Sequence, residues 1–267
     1  MSDPVLQGQI EAARAYEALF VAGLFAPWAT KVTEAARIAT GERVLDVACG
    51  TGVLARAARS ATGASGVVVG LDPNPGMLAI AKEMEPGIDW RQGVAESIPF
   101  AEGSFDVVVS QFGLMFFEDR ALALREMLRV TQHGGRLCVA VWDALANLPA
   151  YAAEVALLER LAGKPAADAI RAPFVLGDRS TLARLFSAAG AGSVDVLTVA
   201  GTARFPSIRV MIEADLRGWL PVVGVVLTEE QIAEILQEAE YLFREYVGAD
   251  GRVQFATRAH LVTATRA

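Results

Sequence analysis

The sequence is short of cysteine, histidine, basic residues and unbroken apolar runs, and each shortage argues against a class of protein. Of 267 residues, two are cysteine and two are histidine. Cys49 and Cys138 stand far apart in apolar runs, with no further cysteine or histidine at ligand spacing. This argues against a disulfide framework and against a zinc or other metal site, and makes a reducing cytoplasm the expected location. The longest apolar stretch, residues 220–227, is interrupted by Gly224 and is far too short to cross a bilayer. The opening MSDPVLQGQIEAARAYEAL has no basic start ahead of an apolar block, so no secretory signal is expected. Lys and Arg total 24 against 31 Asp and Glu, for a net charge of −7. No basic block occurs, so the counterion release that drives nucleic-acid binding has no visible source, and no nucleic-acid partner is expected.

What is present is a generous interior. Hydrophobic residues make up 53% of the chain, enough to bury a sizeable core. Short β-type runs at 43–48, 66–71, 88–91, 105–110 and 136–142 alternate with helical stretches at 53–60, 75–83 and 120–130. The runs VVVGL, FDVVVS and RLCVAVW are almost continuously apolar, as strands buried on both faces are. This pattern predicts an α/β protein built on a doubly wound, mostly parallel sheet with right-handed crossovers and helices on both faces. Beyond 142 the pattern changes. Residues 147–190 and 207–247 read as helical, SVDVLTVAGTARF and RVQFATRAHLVTATR read as two further strands, and Thr228 before Glu229 and Glu230 reads as a helix N-cap. No stretch has linker composition, so one domain over 1–267 is expected.

The stretch VLDVACGTG, residues 44–52, poses the functional question. Glycines at 50 and 52 allow a tight turn and close backbone approach, and the following helix offers free N–H groups. Ligands bind at the carboxyl ends of strands in open α/β sheets. The run from Gly50 to Ala55 fits a dinucleotide pattern, with Asp72 about twenty residues on. A pyrophosphate would nevertheless be repelled by Asp46, whereas a ligand carrying positive charge would not. Asp46 can equally hold the turn's own amides. Asp72 can accept two ribose hydroxyls, or it can cap the helix that begins at Pro75.

Taken in order, VLDVACGTG, GLDPNPGML, GVAESIPFAEGSFDVVVS and LREMLRVTQHGGRLCVAVW resemble the successive motifs of class I S-adenosylmethionine-dependent methyltransferases, of the small-molecule kind similar to the ubiquinone/menaquinone-biosynthesis enzymes. The resemblance covers about 42–142. It implies a Rossmann-like seven-stranded sheet, S-adenosyl-L-methionine as cofactor and S-adenosyl-L-homocysteine as product. It also implies roles. Asp46, with Ala48, Gly50, Thr51 and Gly52, would hold the methionine portion. Asp72 would take the ribose, Pro73 and Met77 would flank the adenine, and Ala95 would offer its amide to that ring. Ser110 and Gln111 would complete the set. Two departures stand out: Val94 where the family usually has an acid, so that the contact is either missing or supplied by Glu96, and His133 where it often has proline. His133 reads as an exposed turn residue.

Methyl transfer needs alignment and exclusion of water more than acid–base machinery, and no catalytic residue is assigned. The chain has SQFGLMFF where an amino-methylating [DN]PP[YF] run would stand, no Pro-Cys nucleophile, and no clustered carboxylates after the fourth strand. A metal-independent transfer to a small-molecule acceptor remains, the acceptor being uncharged or aromatic. Its pocket is expected from Tyr16, Phe20, Trp28, Phe112 and Met115, under a lid made by N-terminal helices at 5–40 and the insertions at 147–190 and 207–247. Aromatic side chains there can equally be core. His260 reads as a satisfied strand histidine. Two alternatives stay open. One is a non-catalytic S-adenosylmethionine-binding protein. The other is an NAD-type oxidoreductase, although none of the four tyrosines has a lysine four residues on. Monomer and homodimer are both open.

Overall fold

A computed structural model describes residues 4–267. Seven strands form one sheet in the order β3-β2-β1-β4-β5-β7-β6. They are β1 Arg43–Val47, β2 Val67–Asp72, β3 Asp89–Gln92, β4 Phe105–Gln111, β5 Thr131–Trp142, β6 Val194–Phe205 and β7 Val253–Thr265. Pairing is parallel from β3 through β5, and β7 runs antiparallel to both β5 and β6. The apolar runs supply the centre: Val44, Leu45, Val47, Val107, Val108, Val109, Leu137 and Cys138 are fully buried. A strand buried on both faces needs helices on both, and the sequence supplies them between the strands.

The helices are α1 Pro4–Tyr16, α2 Ala26–Ala35, α3 Val53–Thr62, α4 Pro75–Met84, α5 Arg120–Val130, α6 Pro149–Leu161, α7 Lys164–Arg171, α8 Arg179–Ala188, α9 Ile208–Glu213 and α10 Glu229–Leu242. Their starts follow local chemistry. Asn74 accepts from the amides of Gly76 and Met77 to cap α4 ahead of Pro75, so the cap considered for Asp72 belongs to Asn74. Asp119 caps α5, and Thr228 with Gln231 forms a reciprocal capping box on α10. Two segments, Glu17–Phe25 and Ala214–Trp219, wind as π-helix, a rare geometry that often marks functional sites.

One strand begins earlier than its composition suggests. β5 starts at Thr131, which pairs with Phe105, and regains register at Arg136 opposite Val107. The intervening bulge is held by the chain's end: Gly134 N–H donates to Arg266 O, and Arg266 N–H to Gly135 O. His133 lies on this bulge, exposed, with Nδ1 2.8 Å from Ala267 O. His260 is buried in β7, with Nδ1 2.9 Å from Thr198 Oγ1 and Nε2 2.9 Å from Gly177 O and 3.2 Å from Asp143 Oδ1. Its ring is satisfied within the fold.

Candidate functional site

The tips of β1, β2, β4 and β5 open onto one cavity of about 590 Å³. Two of those tips bend through left-handed residues that are not glycine: Ala48 at φ 58° and Phe112 at φ 57°. That conformation costs an L-residue about 1–2 kcal/mol, and such strain clusters at binding sites. Both residues line the cavity. Gly113 permits the two tips to meet, since a Cβ there would lie 2.7 Å from the Ala48 Cβ.

The two glycines of the corner do different work. A Cβ on Gly50 would meet nothing within 4 Å, and Gly50 lines the cavity. A Cβ on Gly52 would lie 2.3 Å from the Trp90 ring. Gly52 therefore makes room for a packed indole and does not reach the cavity. Asp72 binds the corner together: Oδ2 accepts the Gly50 amide and Oδ1 the Asn74 amide, both at 2.9 Å. It is 7% exposed and lines the cavity. Each oxygen keeps a second lone pair for a ligand hydroxyl.

Asp46 sits beneath this corner, 1% exposed and off the cavity wall, and both its oxygens lack a hydrogen-bond partner. Burial pushes its carboxyl well above the usual range. Burial likewise raises Asp72, against the pull of the Asn74 and Gly50 amides. Tyr16 also lines the cavity, its hydroxyl raised by burial, then by the charges of Asp72 and Glu17. The corner is electronegative and hungry for donors. Thr51 Oγ1, Ser110 Oγ and Gln111 Oε1 are likewise buried without partners.

Of the residues singled out from the sequence, Ala48, Gly50, Asp72, Pro73, Ala95, Glu96, Gln111, Tyr16, Phe20 and Phe112 come together on the cavity wall. Thr51, Gly52, Met77, Ser110, Trp28 and Met115 do not. Trp28 is fully buried and packs edge-on against Phe112 and Trp142, while those two rings stack at 3.8 Å. Trp28 thus buttresses the wall from behind. Glu96 faces the cavity, with Oε1 accepting the Asp119 amide at 3.3 Å. Val94 is 45% exposed beside it.

The N-terminal segment is tied onto this corner. Arg56 reaches Glu17 at 2.8 Å and the Thr51 carbonyl at 2.6 Å. Gln111 donates to the Phe25 carbonyl at 3.1 Å. Helix α1 crosses α4 so closely that a Cβ on Gly76 would lie 2.4 Å from the Gln9 backbone. From the later segments come Tyr151 of α6, Ile170 of α7, Pro173 and Phe174, and Asp215 and Trp219 of the second π segment. Helix α10 adds no wall residue.

Sequence reasoning missed Asp215 and Glu154. Asp215 lines the cavity, and the Glu154 carboxyl, 1% exposed on α6, lies against it sharing a hydrogen bond. Burial raises Asp215 to about 7. Glu154 is raised well above the usual range, by burial first and then by Asp215. Two acids 61 residues apart, one on α6 and one on the turn Ala214–Trp219, carry no local signal.

Strand order, glycine corner and carboxylate-bearing strand tips together define a Rossmann-like α/β fold. Residues 45–139 match the family model described as a methyltransferase domain. The chain is similar to a demethylmenaquinone methyltransferase of Renibacterium salmoninarum, 44% identical over 113 residues, covering 42% of this chain and 46% of that protein. It is also similar to the ubiquinone/menaquinone biosynthesis C-methyltransferase UbiE of Stenotrophomonas maltophilia, 38% identical over 120 residues, or 43% of this chain and 47% of that one. The chain thus spans just under half the length of these curated relatives. Among solved structures, the YcgJ protein of Bacillus subtilis superposes at TM-score 0.59 with 19% identity, over 90% of this chain and 98% of that one. A Haemonchus contortus phosphoethanolamine N-methyltransferase, solved with phosphomonomethylethanolamine and S-adenosylhomocysteine, gives 0.58 with 17% identity, over 97% and 58%. Among the described residues no helix is long and apolar enough to cross a membrane.

Proposed function

We propose that this chain is an S-adenosylmethionine-dependent methyltransferase acting on a small, apolar or aromatic acceptor. The observation that carries the reading is a single cavity whose wall joins two unlike surfaces. One is the Gly50–Asp72 corner, open above Gly50 and lined by the Asp72 carboxyl. The other is a set of aromatic rings from Tyr16, Phe112, Trp142, Phe174 and Trp219. Its volume of about 590 Å³ lies within the range of small-molecule sites.

The residues fit the cofactor. Gly50 leaves backbone room for the methionine portion, and Asp72 has lone pairs to spare for ribose hydroxyls. Asp46 lies a layer below this corner, and Ala95 with Glu96 borders the adenine side. When bound, the cofactor supplies an electrophilic methyl on a sulfonium. The protein's part is alignment and exclusion of water. Phe112 and Trp142 fix the floor beside the β4 and β5 tips. Tyr16 and Phe20 cover it from the N-terminal side. We take the N-terminal helices with 147–190 and 207–247 as a lid over the methyl, consistent with the wall residues that each contributes.

Calorimetric titration with S-adenosylhomocysteine tests the cofactor, with a micromolar dissociation constant expected, about 8 kcal/mol of binding free energy. Heat with NADH and none with adenosylmethionine or adenosylhomocysteine would overturn the reading. Hydrogen exchange with and without adenosylhomocysteine tests the lid: added protection is expected in 4–25 and 207–219. Equal protection in both states would remove the lid from the account.

A further inference from the structure

The charged residues on the cavity wall are Asp72, Glu96, Glu118 and Asp215, and no lysine, arginine or histidine of the described chain joins them. Asp72 and Glu96 border the proposed cofactor corner, and Asp215 lines the cavity from the π-helical turn Ala214–Trp219. Glu154 stands behind it, 1% exposed, with Oε1 lacking any hydrogen-bond partner. Burial favours a neutral Glu154 beside the half-buried Asp215, so the pair carries one negative charge once pH exceeds the Asp215 value of about 7. A buried charge without a counter-charge is costly, and the nearby cations are committed elsewhere. Arg217 pairs with Glu229 and Glu213, and Arg171 with Glu159 and Asp168. Aromatic rings share the wall with Asp215: Tyr151 packs against Phe174 at 5.2 Å, and Trp219 against Phe116 at 5.1 Å.

We propose that Asp215, backed by Glu154, is the specificity anchor for a basic amine on the acceptor, so that the acceptor class is a hydrophobic or aromatic amine docked as its ammonium. This rests on the methyltransferase reading and narrows its acceptor. A hydroxyl would satisfy one oxygen but leave the charge uncompensated. An ammonium satisfies both, and the rings on the same wall add cation–π attraction. The wall's uniform sign repels phosphorylated or carboxylated acceptors.

The anchor is pH-sensitive in a defined sense. Burial sets the Asp215 carboxyl near 7, so it loses its charge, and its hold on an ammonium, as pH falls through that value. Glu154 and Tyr151 of α6 interact with it directly, and the charged or titratable residues of the elements packed against its turn are Arg209 and Glu213 on α9, Arg217 on its own turn, and Glu11, Arg14, Tyr16 and Glu17 in the N-terminal segment. Arg14 is engaged with Glu83, and Glu17 with Arg56.

The test uses the protein saturated with adenosylhomocysteine, titrated with 4-phenylbutylamine and with the matched neutral 4-phenylbutanol. The amine is expected to bind at least tenfold tighter than the alcohol. That preference should fall several-fold between pH 8 and pH 6, where an alkylammonium of pKa about 10 stays charged. It should vanish in Asp215→Asn and persist in Glu154→Gln, where Asp215 holds the charge alone. Adenosylhomocysteine affinity is measured in both variants first, so that amine and alcohol are compared at full cofactor occupancy. Equal binding of amine and alcohol, or an amine preference that survives Asp215→Asn, overturns the proposal. If the parent fails to bind adenosylhomocysteine, the cofactor reading falls separately, and the amine titration of the unloaded protein still decides the role of Asp215.

Discussion

Replacing Gly50 and Gly52 by alanine should separate ligand seat from packing, although the two glycines stand one residue apart in the same turn. Both are left-handed, at φ 55° and 87°, so each alanine carries a strain of about 1–2 kcal/mol. At Gly50 the new methyl meets no atom within 4 Å, and the strain is the whole stability cost. At Gly52 it lies 2.3 Å from Trp90 Cη2 and 3.0 Å from Cζ3. The indole cannot retreat. Its Nε1 donates to Glu85 O at 2.9 Å, and it also fills the space over Gly70, where a Cβ would sit 2.3 Å from the ring. Overpacking of this kind costs about 1–3 kcal/mol more. The melting temperature of Gly52→Ala should therefore lie several degrees below that of Gly50→Ala, at roughly 2–4 °C per kcal/mol for a chain of this size. Affinity should run the other way. The Gly50 methyl occupies the space where ligand approaches the backbone, and a tenfold loss corresponds to about 1.4 kcal/mol. Thermal denaturation and calorimetry with adenosylhomocysteine read the two effects. Unchanged affinity in Gly50→Ala refutes the ligand seat, and equal stability of the two variants refutes the role given to Trp90.

Asp72→Asn keeps the side chain's size but sets an NH₂ against one of two amide donors. It should cost about 1–3 kcal/mol of stability and weaken adenosylhomocysteine at least tenfold, read by the same two methods. Gly76→Val should lift α1 from α4, because a Cβ already lies 2.4 Å from the Gln9 backbone; faster hydrogen exchange across 4–16 with an unchanged sheet is the expected result. Neutralising the acid pair, as Glu154→Gln with Asp215→Asn, should raise the melting temperature at pH 8 and not at pH 4. The sign follows from Asp215. Its carboxyl is raised from 3.8 to about 7 in the folded chain, so the folded state keeps a proton that the unfolded state loses. Parent stability then falls as pH rises through that window and levels off above it, whereas the neutral variant is free of that decline.

The fold was legible wherever hydrophobic period and capping chemistry act locally. The run FDVVVS became β4 because its apolar residues face helices on both sides. The alternation in SVDVLTVAGTARF became β6, Val194–Phe205, at the sheet's edge, where one face meets solvent. The helix read at 120–130 has those bounds, since Asp119 caps it. The early start of β5 was not legible, because Thr131–Gly135 gains its partners from Phe105 and from Arg266 at the other end of the chain. The candidate site divides in the same way. Asp72 and Gly50 announce themselves by position at a strand tip and a glycine turn. Gly52 looks identical in sequence and differs only because Trp90 folds over it. Asp46 reads as a ligand residue, yet the turn above covers it. Asp215 and Glu154 meet only through the packing of α6 against a π-helical turn, which no local pattern predicts.

The central claim is that the Gly50–Asp72 corner seats S-adenosylmethionine. It is tested most directly by mass spectrometry of ligand retained by the purified native protein, followed by calorimetric titration of the emptied site with adenosylhomocysteine. The account predicts retained adenosylmethionine or adenosylhomocysteine, and one site per chain with micromolar affinity that Asp72→Asn weakens. A dinucleotide in place of either, or no heat with adenosylhomocysteine while NADH binds, would contradict it.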